Sequence, residues 1–366
     1  MLGGVDVAQG NRSTKYLKDA SGQLGRDVPW VSVIVPARNE EKKIREALES
    51  LLHLEYPNLE FIVLNDRSSD QTGAILEGMA DARLRIVNIT ELPEGWLGKN
   101  YALCQGAEKA GGELLLFTDA DVVMDPSTLA KAVNYLKANG LQHLAVMPTV
   151  RLPSLALRLF CSTFGVFFSG YIRPWKASDP TSNSFIGIGA FNLVTAKAYK
   201  AAGTHRAIAM RPDDDVKLGK LLKKSRYRQE MVFGMGLVTV VWYSSMREMI
   251  EGLMKNFFAG LEYNVPMSIG AGILVLLLNV CPFVAIFALR GAAWFLYFLA
   301  AIVMLLFISD ANRFYRVPRW YAFAHPLYSV LFVYILWRSM VLTLWTGGIN
   351  WRGTHYPLTL LRANRI

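Results

Sequence analysis

Cysteine is scarce in this 366-residue chain, which has only Cys104, Cys161 and Cys281. Because the number is odd and no Cys-x-x-Cys spacing occurs, the sequence excludes a disulfide framework and a cysteine-based zinc site. We expect the three thiols to serve packing in a reducing compartment. Residues 1–29 form a polar N-terminal tail without a long apolar run, so no signal peptide or N-terminal anchor is predicted there.

Acidic residues are also few, with 29 Asp and Glu against 39 Lys and Arg, a formal net charge of +10. A basic chain suits nucleic acid, an anionic membrane surface or a phosphorylated substrate. No aromatic-basic RNA motif occurs, so we predict no nucleic-acid partner. The membrane is favoured because the chain turns strongly apolar from about Val265 and hydrophobic residues make up 52% of the whole.

Short apolar runs alternate with helical patterns through residues 30–240, which predicts an α/β domain. The expected architecture is a Rossmann-like, mostly parallel sheet with helices on both faces. Asn39 is predicted to cap the first helix, and Asp125 to cap a later helix that ends at Gly140.

Three polar turns follow predicted strands, at residues 36–40, 65–70 and 118–121. In parallel α/β sheets, ligands bind beyond the carboxyl ends of the strands. We therefore expect these turns to meet at one edge of the sheet and to form a binding site.

Asp119 and Asp121 follow the apolar run at residues 114–117. Two carboxylates this close repel each other unless a cation lies between them. Mg²⁺ or Mn²⁺ suits one or two carboxylates together with phosphate oxygens, and would neutralise a departing nucleoside diphosphate. The alternative is that both residues only cap the following turn.

Two further polar residues lie at predicted strand or helix ends. Asp66 could accept N–H groups of a base, or its segment could simply start a helix. Lys99 opens a helix and could reach a phosphate as a point charge, or it could be a solvated surface lysine.

A run of three acids, Asp213, Asp214 and Asp215, opens a helix. The helix dipole favours acidic residues there without any function. Three adjacent acids repel one another, however, and this hints at a carboxylate held near an incoming hydroxyl as a general base.

Five motifs in order, "VSVIVPARNEE", "NDRSSDQT", "GWLGKNYAL", "FTDADVVMDPSTL" and "PDDDVKLGKLLK", resemble glycosyltransferase family 2 over residues 30–225. This resemblance implies a GT-A-type nucleotide-sugar-binding fold. The later segments "SSMREMIEGLMKNFFAG" and "GGINWRGTHYPL" look like membrane-bound members that act on hydrophobic lipids, such as carotenoid- and hopanoid-associated glycosyltransferases. These segments resemble ceramide glucosyltransferase more distantly.

The resemblance also implies roles for individual residues. Asp66 would hold the uracil, Lys99 would approach the donor, and Asp119 with Asp121 would hold the metal and diphosphate. Asp215 would be the base, with Asp214 in the place of the family's glutamate, although the run of three leaves the register open by one. The implied donor-binding residues are Pro36, Ala37, Arg38, Glu40, Asp66, Lys99, Asp119 and Asp121.

The apolar C-terminal half predicts about three transmembrane helices within residues 266–346. Residues 266–289 and 291–309 are each near the roughly 20 residues needed to span a bilayer. A third stretch, residues 321–346, carries Arg338 near its middle, which is costly unless paired or snorkelling. The intervening basic loop, with Arg313, Arg316 and Arg319, is predicted to be cytoplasmic, which places the catalytic domain there too.

Other apolar segments are expected to lie on the membrane without crossing it. Residues 152–172 cannot cross once, because the metal aspartates and the proposed base must share one side. Residues 241–265 suit an interfacial amphipathic helix, with ordinary domain packing as the alternative for both segments. The basic tail, residues 347–366, stays open: three crossings put it outside, whereas its arginines favour the inside.

These patterns predict a multi-pass protein of the cell membrane with a cytoplasmic catalytic domain. It would be an inverting glycosyltransferase that moves one sugar from a nucleotide-sugar, favouring UDP, to a hydroxyl of a lipid. The Gln-x-x-Arg-Trp motif of processive synthases is missing, which argues against polymer synthesis. The alternatives are a polyprenyl-phosphate sugar synthase, whose acceptor needs no base, and a non-catalytic scaffold or transporter.

Overall fold

The computed structural model describes residue 10, residues 12–314 and residues 317–366, and these form two compact units. The sheet unit comprises Thr14–Arg151, Pro174–Trp242 and Asn364–Ile366. The helical unit comprises Leu152–Arg173, Tyr243–Ala363 and the described residues before Thr14.

A seven-stranded sheet forms the centre of the sheet unit, in the order β3-β2-β1-β4-β8-β6-β9. All neighbouring pairs are parallel except those made by β8, which is antiparallel to β4 and β6. The predicted α/β class with a mostly parallel sheet is therefore confirmed. The strands are β1 Val31–Ala37, β2 Leu59–Asp66, β3 Leu84–Ile89, β4 Leu114–Phe117, β6 His143–Met147, β8 Asn192–Thr195 and β9 Gln229–Phe233.

A smaller sheet in the same unit has the order β5-β10-β7, with strands Val122–Met124, Val238–Val241 and Thr149–Arg151. Helices cover both faces of the large sheet. They are α1 Ile44–Leu52, α2 Thr72–Glu77, α3 Gly98–Lys109, α4 Thr128–Ala138, α6 Ala196–Ala201 and α7 Asp214–Lys224.

Alternation along β1 separates two hydrophobic cores. Val33 faces the cluster that includes Leu48 of α1, whereas Ile34 faces the cluster that includes Leu103 of α3 and Leu218 of α7. Successive side chains of a strand point to opposite faces of a sheet, so one apolar strand supports both layers of helices.

Two predicted helix caps are wrong, and one predicted helix end is confirmed. Asn39 has a positive φ of 54° and accepts the Ser69 N–H at 2.8 Å, so it fastens two turns together and caps no helix. The Asp125 carboxylate accepts from the backbone and hydroxyl of Ser127, closing a turn before the helix. Gly140 ends that helix with a φ of 59°.

The helical unit contains α5 and all helices from α8 onward. Their bounds are α5 Leu155–Ile172, α8 Met246–Gly260, α9 Val265–Asn279, α10 Cys281–Ala288, α11 Gly291–Phe314, α12 His325–Trp345 and α13 Leu358–Ala363. A two-stranded hairpin, β11 Gly348–Trp351 with β12 Thr354–Pro357, lies between α12 and α13.

Two details of the predicted membrane region are wrong. Residues 266–289 do not form one helix, because the chain breaks at Val280 before Pro282, whose ring disrupts a continuous helix. The helix α11 includes Arg313, so that arginine is helical and does not belong to a loop. Arg316 lies outside the described residues.

Three helices among the described residues have the length and apolar composition to cross a membrane: Leu155–Lys176, Gly291–Arg313 and Arg319–Trp345. A fourth crossing is possible only if α8 and α9, which are bent by 115° at their junction, count as one broken span. Arg338 is exposed, with its guanidinium 5.9 Å from the centre of the Tyr334 ring.

Candidate active site

The three polar turns meet at one edge of the large sheet, as predicted. Strands β1, β2 and β4 are parallel, so their carboxyl ends lie side by side. Arg38 after β1 lies 3.6 Å from the Asp66 carboxylate at the end of β2. Lys43, also after β1, lies 2.9 Å from the carboxylate of Asp121, beyond β4.

One ammonium group joins two of the predicted acidic positions. Lys99 Nζ lies 2.8 Å from Asp119 Oδ1 and 3.4 Å from Asp214 Oδ2. Lys99 is at the start of α3, which brings its side chain to the edge where β4 and α7 converge. Lys99 is therefore not a free surface lysine but the link between the aspartate pair and the three-acid run.

The backbone of Gly189 connects Asp119 with Asp215. Its N–H donates to Asp215 Oδ2 at 2.7 Å, and its carbonyl accepts from the Asp119 N–H at 3.1 Å. A Cβ at position 189 would lie 2.7 Å from Asp119 Oδ2 and 3.4 Å from Asp215 Oδ2. Only glycine lets the backbone come this close to both carboxylates without displacing one of them.

The second oxygen of Asp215 is also held by backbone. Asp215 Oδ1 accepts the Val216 N–H at 2.8 Å, at the start of α7. The close passage of Gly187, where a Cβ would lie 1.8 Å from the Asp215 carbonyl oxygen, fixes the neighbouring segment against the same helix turn. Both oxygens of this carboxylate therefore have a defined direction.

Burial and charge move the pKa values of these groups in identifiable directions. Burial raises the pKa of Asp215, and the Lys99 ammonium acts against that rise. Burial also raises the pKa of Asp121, with a further rise from the neighbouring Asp119 charge. For Lys99, burial works to lower the pKa, but the surrounding carboxylates prevail and the pKa is raised. Lys99 is thus a permanent cation.

Asp66, the predicted base-binding residue, is 3% exposed and ion-paired. Its two oxygens accept from the Arg67 guanidinium at 2.7 and 3.1 Å. Gly98 packs directly beside it, since a Cβ there would lie 2.4 Å from Asp66 Oδ2. This contact places Asp66 next to the helix turn that carries Lys99.

The remaining predicted donor residues belong to the end of β1 and the turn after it. Pro36 and Ala37 are the last two residues of β1, paired in register with Leu64 and Asn65 of β2. The Glu40 N–H donates to the hydroxyl of Thr72 at 2.8 Å, which ties this turn to the start of α2.

Asp213 precedes the first residue of α7 but does not cap this helix through its side chain. It forms a two-point ion pair with Arg211, at 2.9 and 3.0 Å, and the Arg211 side chain is fully buried. A buried guanidinium requires a partner carboxylate, so Asp213 serves the structure of the loop that precedes α7.

A small cavity opens among these groups, and several of its lining residues escaped the sequence analysis. Gly189 and His205 line this cavity but carry no motif signal, because each reaches the site from a part of the chain outside the motifs. His205 is buried, its ring is held by the Tyr199 hydroxyl at 2.8 Å, and burial lowers its pKa to about 3. A glycine between apolar residues in "IGIGA" is the one local hint of a close backbone approach.

The aspartate pair has the chemistry to hold a divalent metal. Asp119 and Asp121 supply hard oxygen ligands, and no group of three or more His, Cys, Asp or Glu suited to a metal occurs in the described part of the chain. Mg²⁺ accepts one or two carboxylates when waters and substrate phosphates complete its shell. The residues therefore fit a metal shared with a phosphorylated donor and do not form a closed protein site.

Known proteins that resemble this chain are glycosyltransferases. Residues 32–191 match the profile "Glycosyl transferase family 2". A 4,4'-diaponeurosporenoate glycosyltransferase from Staphylococcus haemolyticus is 27% identical over 66% of this chain, and the match spans only 64% of that relative. The enzyme of the same name from Staphylococcus aureus is 22% identical over 90% of this chain and 88% of its own length.

A solved structure shares the fold. It is a mannosyltransferase from Pyrobaculum calidifontis in complex with GDP-Man and Mn²⁺, with a TM-score of 0.55, 20% identity and 93% coverage of each chain. The GT-A-type fold predicted from the sequence is thereby confirmed. Residues 32–191 of this chain are thus similar to glycosyltransferase family 2, and the curated relatives that resemble the chain are named as glycosyltransferases.

Proposed function

We propose that the protein transfers one sugar from a nucleotide-sugar to a hydrophobic lipid acceptor at a membrane. The observation that carries the proposal is Lys99, whose ammonium lies between Asp119 and Asp214 at the carboxyl edge of the sheet. This arrangement connects the candidate metal–diphosphate site to Asp214, the neighbour of the candidate base Asp215. The apolar helices of the helical unit supply a place for a lipid.

We assign binding of the nucleotide-sugar donor to residues at the carboxyl ends of the strands. Asp119 and Asp121 would hold Mg²⁺ or Mn²⁺, which when bound neutralises charge on the leaving nucleoside diphosphate. Asp66, at the end of β2, is our candidate for recognising a uracil base. To do so, an Asp66 carboxylate oxygen has to be released from its hydrogen bond with the Arg67 guanidinium. Pro36, Ala37, Arg38 and Glu40 would line the same edge.

Asp215 is the proposed general base, with Asp214 holding Lys99 beside it. The acceptor oxygen attacks the anomeric carbon as the bond from that carbon to the diphosphate breaks, and the acceptor proton passes to Asp215. A single in-line displacement of this kind inverts the anomeric configuration. The hydrogen bonds from Gly189 and Val216 hold the Asp215 carboxylate in one orientation for the transfer.

The acceptor is proposed to be a carotenoid-type lipid, because the relatives carry diaponeurosporenoate in their names. That ending denotes a carboxylate, which is already an anion and needs no base. A hydroxyl acceptor remains our first candidate because Asp215 is positioned for a proton. Our second candidate is an anionic acceptor, which the relatives' name favours. A polyprenyl phosphate is also an anionic acceptor.

Transfer assays on membranes test the proposal. Membranes with the protein would be incubated with labelled UDP- and GDP-sugars and three acceptors: a hydroxylated carotenoid, a carboxylated carotenoid and a polyprenyl phosphate. We expect a labelled lipid with wild type, and nearly none with Asp119→Asn, Asp121→Asn or EDTA. Full transfer in EDTA would remove the metal from the proposal, and no labelled lipid with any pair would overturn the function.

A further inference from the structure

The last three residues of the chain, Asn364–Ile366, return to the sheet unit after the helical unit ends. Ile366 packs against the hydrophobic cluster that contains Leu103 of α3 and Ile208. The tail is thus part of the body that carries the proposed active site.

Asn364 holds a specific backbone segment through both ends of its amide. Its side-chain oxygen accepts the Met210 N–H at 2.8 Å, and its side-chain nitrogen donates to the Ala207 carbonyl at 3.0 Å. Each bond to backbone in a partly buried site contributes modestly by itself, but two bonds from one planar amide also fix the direction of the segment.

The same segment is held from another side by Asn100, the neighbour of Lys99. The buried Asn100 side-chain nitrogen donates to the carbonyls of Ile208 and Arg211, at 2.7 and 2.9 Å. Arg211 then pairs with Asp213, immediately before Asp214 and Asp215. A continuous set of contacts therefore runs from the C-terminal tail to the three-acid run.

We propose that Asn364 is a positioning residue, which acts through the segment 207–211 to set the start of α7 against Lys99. This inference rests on the proposed function, since Asp214 and Asp215 matter for transfer only if they act there. The tail is held within 3.0 Å of the segment but contributes no group to the cavity itself.

The returning tail also constrains the membrane topology. The chain leaves the sheet unit after Trp242 and enters it again at Asn364, and one folded body lies on one side of a membrane. Any helices between these points that span a membrane would together cross it an even number of times. The tail then lies on the catalytic side, which three crossings would not allow.

The test uses the full chain in detergent, with Asn364→Ala, Asn364→Asp and the control Arg365→Ala. Arg365 is exposed and lies in the same tail, so its loss removes charge without touching the segment. We expect Asn364→Ala to lower kcat roughly tenfold with a donor KM within about twofold of wild type, because misplacement by about 1 Å costs up to ~10²-fold. Asn364→Asp keeps the acceptor for the Met210 N–H, so its kcat should lie between those of wild type and Asn364→Ala.

Hydrogen exchange of the peptide that covers residues 205–215 gives a readout independent of transfer. We expect faster exchange there in Asn364→Ala and no change in Arg365→Ala. Unchanged exchange, or unchanged kcat in an active preparation, overturns the positioning role. If Asn364→Ala does not fold, Asn364→Asp decides by the same two measurements. If wild type transfers no sugar, the proposed function fails, while the exchange result still decides whether Asn364 holds the segment.

Discussion

The ammonium of Lys43 lies 2.9 Å from a carboxylate oxygen of Asp121 and also donates to the Val241 carbonyl at 2.9 Å. A positive charge therefore already occupies one side of the candidate metal ligand. A metal that binds Asp121 has to compete with this ammonium for the same oxygen. The strength of metal binding should accordingly depend on a residue 78 positions away in sequence.

Replacing that lysine should make metal binding tighter. We expect Lys43→Met to lower the Mg²⁺ or Mn²⁺ concentration for half-maximal transfer by up to about fivefold, the scale of a partly exposed ion pair of up to ~1 kcal/mol. The measurement is a metal titration of the transfer rate. Lys42→Met, at an exposed neighbour, is the matched control. A higher half-maximal concentration in Lys43→Met would mean that Lys43 assists metal or donor binding.

The three acids of the run should respond differently to amide substitution. We expect Asp215→Asn to lose at least ~10²-fold in kcat with little change in donor affinity, because an amide cannot take the acceptor proton. Asp214→Asn should lower kcat less than Asp215→Asn does, since it weakens only one contact of Lys99. Asp213→Asn should lower thermal stability instead, because it weakens the partner of the buried Arg211.

Single-turnover transfer and equilibrium binding of the donor measure these effects. If Asp214→Asn is inactive while Asp215→Asn turns over normally, the base is one position earlier. If Asp214→Asn and Asp215→Asn are both active on an anionic acceptor, that acceptor needs no base and the second candidate function leads.

Adding one methyl group at Gly189 should disturb the site without unfolding the protein. A Cβ there would lie 2.7 Å from Asp119 Oδ2, the end of a side chain that can move aside. We therefore expect Gly189→Ala to reduce transfer by roughly 10²-fold with a near-normal melting temperature. Gly25→Ala, where no atom lies within 4 Å of the added Cβ, is the control. Equal activity of the two variants would contradict the close approach.

Stability should fall in mild acid through His143. Burial lowers the pKa of this fully buried histidine from 6.5 to about 4. The unfolded chain binds a proton below about pH 6.5 while the folded chain does not, so stability present above pH 6.5 is lost as pH falls towards 4. The variant His143→Gln keeps a donor for Asn192. Over this pH range we expect it to lose less unfolding free energy than wild type, with a difference of up to about 1.4 kcal/mol per pH unit. Urea unfolding of both proteins between pH 4.5 and 7 measures this difference. If their unfolding free energies fall in parallel with pH, His143 is not the cause of the loss.

The tail and the catalytic domain should be accessible from the same side of the membrane. In a chain without native cysteines, we expect Arg365→Cys and Lys42→Cys, both exposed positions, to react with an impermeant reagent under the same conditions. Both should be protected in intact cells and labelled after the inner face is opened. Labelling of position 365 alone from outside would contradict the even number of crossings.

Much of the architecture follows from local pattern. The alternation of apolar runs and helical periods determines the α/β class, because each element must bury its own apolar side. The polar turns after β1, β2 and β4 meet because parallel strands bring their carboxyl ends to one edge. Gly140 ends its helix because glycine tolerates the left-handed backbone found there.

Local pattern was less informative where several partners compete for one side chain. Asn39 and Asp125 have the residue types of helix caps, yet each bonds to a nearer turn. Asp213 has the position of a cap, yet a buried arginine takes its carboxylate. Which partner prevails depends on the distances that the completed fold creates, and no short window of sequence contains them.

The sequence by itself determined that the turns with Asp66 and Asp119 follow strands at one sheet edge, and that Lys99 and the run Asp213 to Asp215 open helices. Only the tertiary structure decided how they are joined. Gly189 reaches Asp215 across 26 positions, and Asn364 reaches Met210 across 154. Local propensity acts over a few residues, whereas these contacts form when packing of the hydrophobic cores brings distant segments within hydrogen-bonding distance.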